Sequence, residues 1–169
     1  SGIKFVYKIG RECKTMAQRL YGSFRKVVVV EDDPTLLFFW GRLLKELGIE
    51  DYELFSDAVE AKMLLQEIPC QLLISDIVMP GAYGYELARI ARRRSPNCTI
   101  VLTTGYGTDL SRFELSDCRF HLLHKPYTDI AALKVFIGHL VENDESFDDL
   151  SEDSFSENED YPQVTEWKL

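Results

Sequence analysis

Four consecutive valines, Val27 to Val30, run into three acids, Glu31, Asp32 and Asp33. An unbroken β-branched run of this kind predicts a strand buried on both faces, as in a parallel sheet. Pro34 suits the first turn of a helix, with Asp33 as its N-cap. Leu36, Leu37, Trp40, Leu43, Leu44 and Leu47 then follow at helical spacing, and Gly48 closes the helix. The pattern repeats. Tyr52 to Phe55 reads as a short strand, and Ser56 or Asp57 caps a helix that runs to about Glu67 before Pro69. Gln71 to Ser75, with Leu72-Leu73-Ile74, reads as a second doubly buried strand ending at Asp76. Met79-Pro80-Gly81 reads as a loop, followed by a helix from about Gly84 with Leu87, Ile90 and Ala91 inward and arginines mostly outward.

Ser95-Pro96-Asn97 breaks that helix. Cys98 to Thr104 reads as the next strand, and a weakly marked helix is expected near Asp109 to Leu115. Arg119 to Leu123 is the fifth strand, and about Thr128 to Val141 the last helix. Strand and helix alternate five times, which is the pattern of a doubly wound parallel α/β sheet with right-handed crossovers. Such sheets bind ligands beyond the carboxyl ends of their strands, and the polar residues of this chain fall there.

Length and charge refine the picture. The chain has 169 residues, enough for one domain with a sizeable core. No apolar run reaches the length of a membrane span, and residues 1–24 lack the apolar stretch of a signal peptide. Ser1-Gly2 reads as a tag remnant and Met16 is internal, which suits an excised fragment. The net charge of -9 is unevenly spread. Residues 1–26 carry +6, residues 27–141 carry -5 and residues 142–169 carry -10. Three regions are therefore expected: a basic extension at 1–26, a globular domain at 27–142 and an acidic, disordered tail at 143–169. In the extension, Lys4 to Phe24 is expected to hold a helix, with Met16, Leu20 and Phe24 at helical spacing; in the tail, Trp167 is the residue suited to docking. The overall acidity argues against direct nucleic-acid binding. Four cysteines (13, 70, 98 and 118) form no C-x-x-C pair and join no histidine cluster. Cys70 and Cys98 fall at strand starts and read as buried thiols of a reducing, cytoplasmic environment.

The strand ends collect the chemistry. The first strand offers Glu31, Asp32 and Asp33, the third Asp76, the fourth Thr103 and Thr104, and the fifth His124 and Lys125. With the first and third strands adjacent, Glu31, Asp32 and Asp76 converge. Three carboxylates in one pocket repel unless a cation joins them. Hard oxygen ligands with open positions suit Mg²⁺, which retains waters and accepts phosphate oxygens. Lys125 and a threonine add a positive charge and a hydroxyl donor, which makes a receptacle for a phosphoryl group. Asp76, between metal and lysine, is the carboxylate placed to attack phosphorus. Asp33 reads as an N-cap rather than a ligand, Thr103 as facing away from Thr104, and His124 as a surface residue.

The motifs VVVVEDDP, LLISDIVMPG with the later Gly84, IVLTTGYG and HKP, in this order and spacing, resemble those of response-regulator receiver domains. The wording SDIVMPG, TTGYG and HKPY is similar to that of receivers attached to hybrid histidine kinases. The resemblance covers residues 27–143. It implies a doubly wound (βα)5, flavodoxin-like fold with a five-stranded parallel sheet. It implies that Asp76 is the phosphoacceptor, that Asp32 ligates Mg²⁺ with Glu31 acting nearby or through water, and that the Val78 backbone carbonyl is a further ligand. Thr104 would bond the phosphoryl oxygens, Lys125 would pair with the phosphoryl group, and the bond before Pro126 would be cis. A histidine kinase or histidine phosphotransfer domain would donate, and an unidentified protein would receive the signal.

Two departures stand out. Leu122 occupies the position, three before the lysine, where receivers usually carry Tyr or Phe. Val78 and Tyr106 stand where side chains influence water access, and neither offers a carboxylate or amide; a long-lived phosphate is expected. The main reading is a phosphorylation switch rather than an enzyme, and the alternative is an interaction module that works without phosphate. A phosphatase resembling haloacid dehalogenases would need a second aspartate where Val78 stands. A flavodoxin-type cofactor binder would need a phosphate-cradling loop after the first strand, and none is present.

Overall fold

The computed structural model describes residues 7–9, 12–14, 25–105, 108, 119–142 and 164–167, with side chains for residues 27–105, 108 and 119–142. The central sheet contains β3 (Arg25–Val30), β4 (Tyr52–Phe55), β5 (Cys70–Asp76), β8 (Thr99–Thr104) and β9 (Phe120–His124), with β10 (Val164–Trp167) beside β9. The order is β10-β9-β8-β5-β3-β4, and every neighbouring pair is parallel. In chain order the five central strands run 2-1-3-4-5, the doubly wound arrangement of flavodoxin-like folds.

Among the described residues, four helices cover the sheet: α1 (Pro34–Glu46), α2 (Ala58–Glu67), α3 (Gly84–Arg94) and α4 (Ile130–Glu142). Alternate residues of each strand feed opposite cores, because successive side chains point to opposite faces. Val28, Val30, Leu73, Ile100 and Leu102 pack with α2 and α3. Val27, Val29, Leu72, Ile74 and Val101 pack with α1 and α4. The valine run is fully buried on both sides, which explains its lack of polar alternation. Asp33 caps α1 as expected, accepting from the N–H groups of Thr35 (2.8 Å) and Leu36 (3.0 Å). Asp57 does the same for α2, accepting from Val59 and Glu60. Gly48, at φ +72°, supplies the left-handed residue that ends the first helical segment.

Several segments differ from expectation. Met79-Pro80-Gly81 lies in a small hairpin, β6 (Val78–Met79) against β7 (Ala82–Tyr83), with Gly81 at φ +85°. The basic extension holds an antiparallel pair, β1 (Tyr7–Ile9) and β2 (Glu12–Lys14), where a helix was anticipated. Tyr7 and Ile9 alternate with Lys8, and the intervening Gly10-Arg11 is a composition suited to a short hairpin. Residues 15–24, with the remaining helical spacing, lie outside the described residues. In the tail expected to be disordered, Val164–Trp167 forms the sixth strand, with Val164 opposite Phe120 and Trp167 opposite Leu123. This stretch has the β-branched and aromatic residues that favour strands, and β9 offers it an unpaired backbone edge. The helix anticipated near Asp109 to Leu115 and most of the tail lie outside the described residues. Among the described residues, no helix is long and apolar enough to cross a membrane.

Candidate functional site

The parallel order places the carboxyl ends of β3, β5, β8 and β9 on one rim. Val30 pairs with Ser75, Asp76 with Thr103, and Thr104 with His124. The residues following these pairs are therefore brought together by register. Glu31, Asp32 and Asp76 each place a carboxylate oxygen within 4.8 Å of the others'. Glu31 is 1 % exposed, Asp76 half-buried and Asp32 exposed.

Lys125 joins two of the three. Its Nζ lies 2.7 Å from Glu31 Oε2 and 2.7 Å from Asp76 Oδ2. The remaining Glu31 oxygen, Oε1, accepts from the Asp33 N–H at 3.2 Å, and Asp76 Oδ1 accepts from the Val78 N–H at 3.3 Å. Burial raises the Glu31 pKa above the usual carboxylate value, and the ammonium of Lys125 only partly offsets this. Burial alone would lower the Lys125 pKa, but the hydrogen bonds and charges of Asp76 and Glu31 raise it above the ordinary lysine value. The ammonium thus stays charged between two carboxylates.

Backbone details hold the rim. The Lys125 N–H donates to the Thr104 carbonyl at 2.8 Å, and the Lys125–Pro126 peptide is cis. The Ile77 N–H donates to the Thr103 carbonyl, and the Gly84 N–H to the Ile77 carbonyl, both at 2.9 Å. The start of α3 is therefore stitched to the end of β5, directly behind Asp76. Thr104 is buried on the α2–α3 side of the sheet, and its hydroxyl donates only weakly, at 3.4 Å, to the Gly105 carbonyl. Thr103 faces the opposite side, as the alternation requires. The Val78 side chain is half exposed and apolar, so no second carboxylate stands two residues beyond Asp76.

Sequence reasoning missed a layer behind the rim on the α1–α4 side. The Tyr127 ring stacks on Phe39 (centroids 5.7 Å apart) and meets Trp40 edge-on (5.4 Å). The Tyr127 hydroxyl, the Trp40 indole N–H and the Thr103 hydroxyl are all buried, and none makes a well-formed hydrogen bond. Burial, with the nearby charges of Glu31 and Asp76, drives the Tyr127 pKa well up, so the phenol stays neutral. The available signal was the aromatic pair Phe39-Trp40, which reads along the sequence as ordinary helix core. Leu122, in the departure position, is buried with Phe120 in the α2–α3 core. His124 is half-buried, and Tyr106 lies outside the described residues.

A parallel sheet in the 2-1-3-4-5 order, with an acid triad and a lysine on its carboxyl rim, defines the receiver class of signalling domain. Residues 27–135 match the response regulator receiver domain family, and the chain belongs to it. It is 35% identical over 82 residues to the response regulator receiver protein CpdR of Brucella abortus, covering 48% of this chain and 68% of that one. It is 30% identical over 105 residues to the sensor kinase CckA of the same organism, but this match covers 60% of this chain and only 11% of the kinase. A CheY-like receiver domain structure from Methanospirillum hungatei superposes with a TM-score of 0.60 at 24% identity, covering 72% of this chain and 96% of that one. That likeness carries the fold.

Proposed function

We propose that this receiver domain is a phosphorylation switch in which Asp76 accepts a phosphoryl group from a phosphohistidine, with Mg²⁺ at the acid cluster. The observation that supports this best is the pairing of Lys125 with Asp76 Oδ2 and Glu31 Oε2, both at 2.7 Å, beside an exposed Asp32. An ammonium held between two carboxylates is already placed to neutralise an incoming phosphoryl oxygen.

The donor set fits Mg²⁺. Three carboxylates converge within 4.8 Å, and the exposure of Asp32 leaves room for the waters that this ion retains. Both Glu31 oxygens already have protein partners, which suits contact through water; Asp32, Asp76 and the Val78 carbonyl would be the direct ligands. The ion would supply charge neutralisation at the transferring phosphoryl group. An Asp76 carboxylate oxygen attacks phosphorus as the P–N bond to the donor histidine breaks. The imidazole leaves, and an acyl phosphate forms on Asp76. Lys125 then pairs with the phosphoryl oxygens, and Thr104 donates its hydroxyl to one of them.

A histidine kinase or phosphotransfer domain is the donor class, and output passes to a protein partner by a shift between two conformations. The similarity to part of a sensor kinase and to most of a response regulator receiver protein supports both placements equally, as a module of a larger chain or a separate regulator.

The test is intact-protein mass spectrometry after incubation with Mg²⁺ and a small phosphodonor, run beside Asp76→Asn. One phosphate adduct that requires Mg²⁺ and disappears in the variant is the expected result. An adduct that persists in Asp76→Asn would show that the acceptor lies elsewhere. Partner binding that is unchanged by Asp76→Asn would favour the phosphate-independent interaction module.

A further inference from the structure

We propose that the groove between α2 and α3 is the docking surface for the chain's own acidic segment, residues 143–163. This inference is independent of the phosphoacceptor chemistry. The groove is an open depression of about 690 Å³, lined by Lys62 and Gln66 of α2 and by Glu86, Arg89, Arg92 and Arg93 of α3. Four cations face one acid there, on a chain whose net charge is -9. Arginines in the last turn of a helix complement its dipole, which accounts for Arg92 and Arg93. It does not account for Lys62 on the neighbouring helix; Arg89, a turn earlier, sits over the Tyr85 ring, 5.4 Å from its centroid.

The occupant follows from charge and from where its ends lie. Residues 143–163 hold nine acids and no base. The segment departs from the end of α4, where Gln71 Nε2 donates to the Val141 carbonyl at 3.0 Å. Gln71 is the second residue of β5, four residues past Glu67, whose carbonyl accepts from Arg94 Nε (3.2 Å) and Nη2 (3.1 Å). The segment returns at Val164, opposite Phe120. The residue before Phe120 is Arg119, whose carbonyl accepts from Arg92 Nη2 at 3.2 Å. The return anchor thus adjoins a residue bonded to Arg92 of the groove, and the departure point lies at the same end of the sheet, where β5 begins. Twenty-one residues reach about 70 Å when extended, against about 16 Å for the length of α3. Tethering at both ends keeps the local concentration of acids beside the groove high.

The groove's competitor for the acidic segment is the basic extension at residues 1–26. Carbodiimide coupling on the full chain separates the two, because it joins a carboxylate to an amine in direct contact. Lys62 is the groove's amine, and the ion pair of Lys134 with Glu46 (2.6 Å) is the internal positive control. Peptide mass spectrometry should find Lys62 joined to acids of residues 143–163. The yield should fall at least about threefold in about 1 M salt, where the screening length shrinks to about 3 Å. Arg89→Glu with Arg93→Glu should abolish it, and adding Asp148→Lys with Asp149→Lys should restore contact, read as coupling to the new groove carboxylates. Lys62 unreacted while the Lys134–Glu46 control forms, or segment acids joined only to Lys4, Lys8, Lys14 or Lys26, would overturn the proposal. The salt arm uses the unaltered chain, so it decides the matter even if the charge-reversed variant fails to fold.

Discussion

A methyl group placed on Gly84 would lie 2.2 Å from the carbonyl oxygen of Asp76. The same methyl would come within 3.0 Å of the Ser75 hydroxyl, which itself donates to that carbonyl. The first residue of α3 and the proposed phosphoacceptor are therefore in contact through backbone, with no space for a side chain. Gly84→Ala must push apart β5 and α3. A loss of about 1–3 kcal/mol is expected, as for other overpacked interiors, with slower phosphorylation because Asp76 moves from Lys125. Thermal unfolding checks this: a midpoint within about 1 °C of the parent, where 1 kcal/mol shifts it by several degrees, would refute the contact.

Lys125→Met should leave Glu31 buried beside Asp76 with no cation. Breaking one side of a buried ion pair costs about 3–5 kcal/mol, here reduced because Asp76 is only half-buried and Glu31 can take up a proton. Urea unfolding at neutral pH should show a loss of about 2 kcal/mol or more, partly recovered by Glu31→Gln in the same chain. A double variant no more stable than the single one would argue against the pairing as the source of the loss.

His121 should give the domain a specific pH dependence. Burial first, then the nearby Arg92 charge, lowers its pKa below the ordinary 6.5, and its ring rests edge-on against Phe136. The folded state thus disfavours the imidazolium. Its contribution to stability is present above the unfolded-state pKa and is lost as pH falls through the lower folded value. Between pH 7 and pH 5 the native chain should lose more stability than His121→Gln. Parallel pH profiles for the two proteins would exclude His121 as the cause.

Tyr127→Phe should be neutral or stabilising by up to about 1 kcal/mol, because the hydroxyl it removes is buried without a well-formed hydrogen bond. The ring stacking on Phe39 and Trp40 is retained. A loss above about 1 kcal/mol would show that the hydroxyl is bonded after all.

The acyl phosphate, once formed, should persist for minutes or longer. The exposed side chain nearest the acceptor along the chain, Val78, offers no group to orient an attacking water. Val78→Asn should shorten the lifetime about tenfold or more, within the usual range of general-base effects. Loss of label from the parent within seconds would defeat this reading.

Most of the fold was legible because its signals are local and mutually consistent. The valine run, the Asp33-Pro34 start, the Asp57 cap and Gly48 each name an element, and the register of parallel strands then determines which strand ends meet. The cluster of Glu31, Asp32, Asp76 and Lys125 was legible for the same reason. Less legible was anything that depends on a partner element. The hairpin at Tyr7 to Lys14 competes with a helical spacing further along. Val164–Trp167 is four residues in an acidic stretch, and only the open edge of β9 makes it a strand. The aromatic layer of Phe39, Trp40 and Tyr127 joins residues almost ninety positions apart, and periodicity along one helix does not reveal such a meeting.

The parallel pairing of β10 with β9 also fixes a direction of exit. The strand advances from Phe120 toward Leu123 and ends with Trp167, two positions short of the level of Lys125. The end of this strand therefore points toward the rim that bears Asp76, not toward the opposite end where α4 finishes. Attached to the strand's end, a fluorescent reporter or a second domain would stand next to the site of charge change, with only a few residues of leash between them.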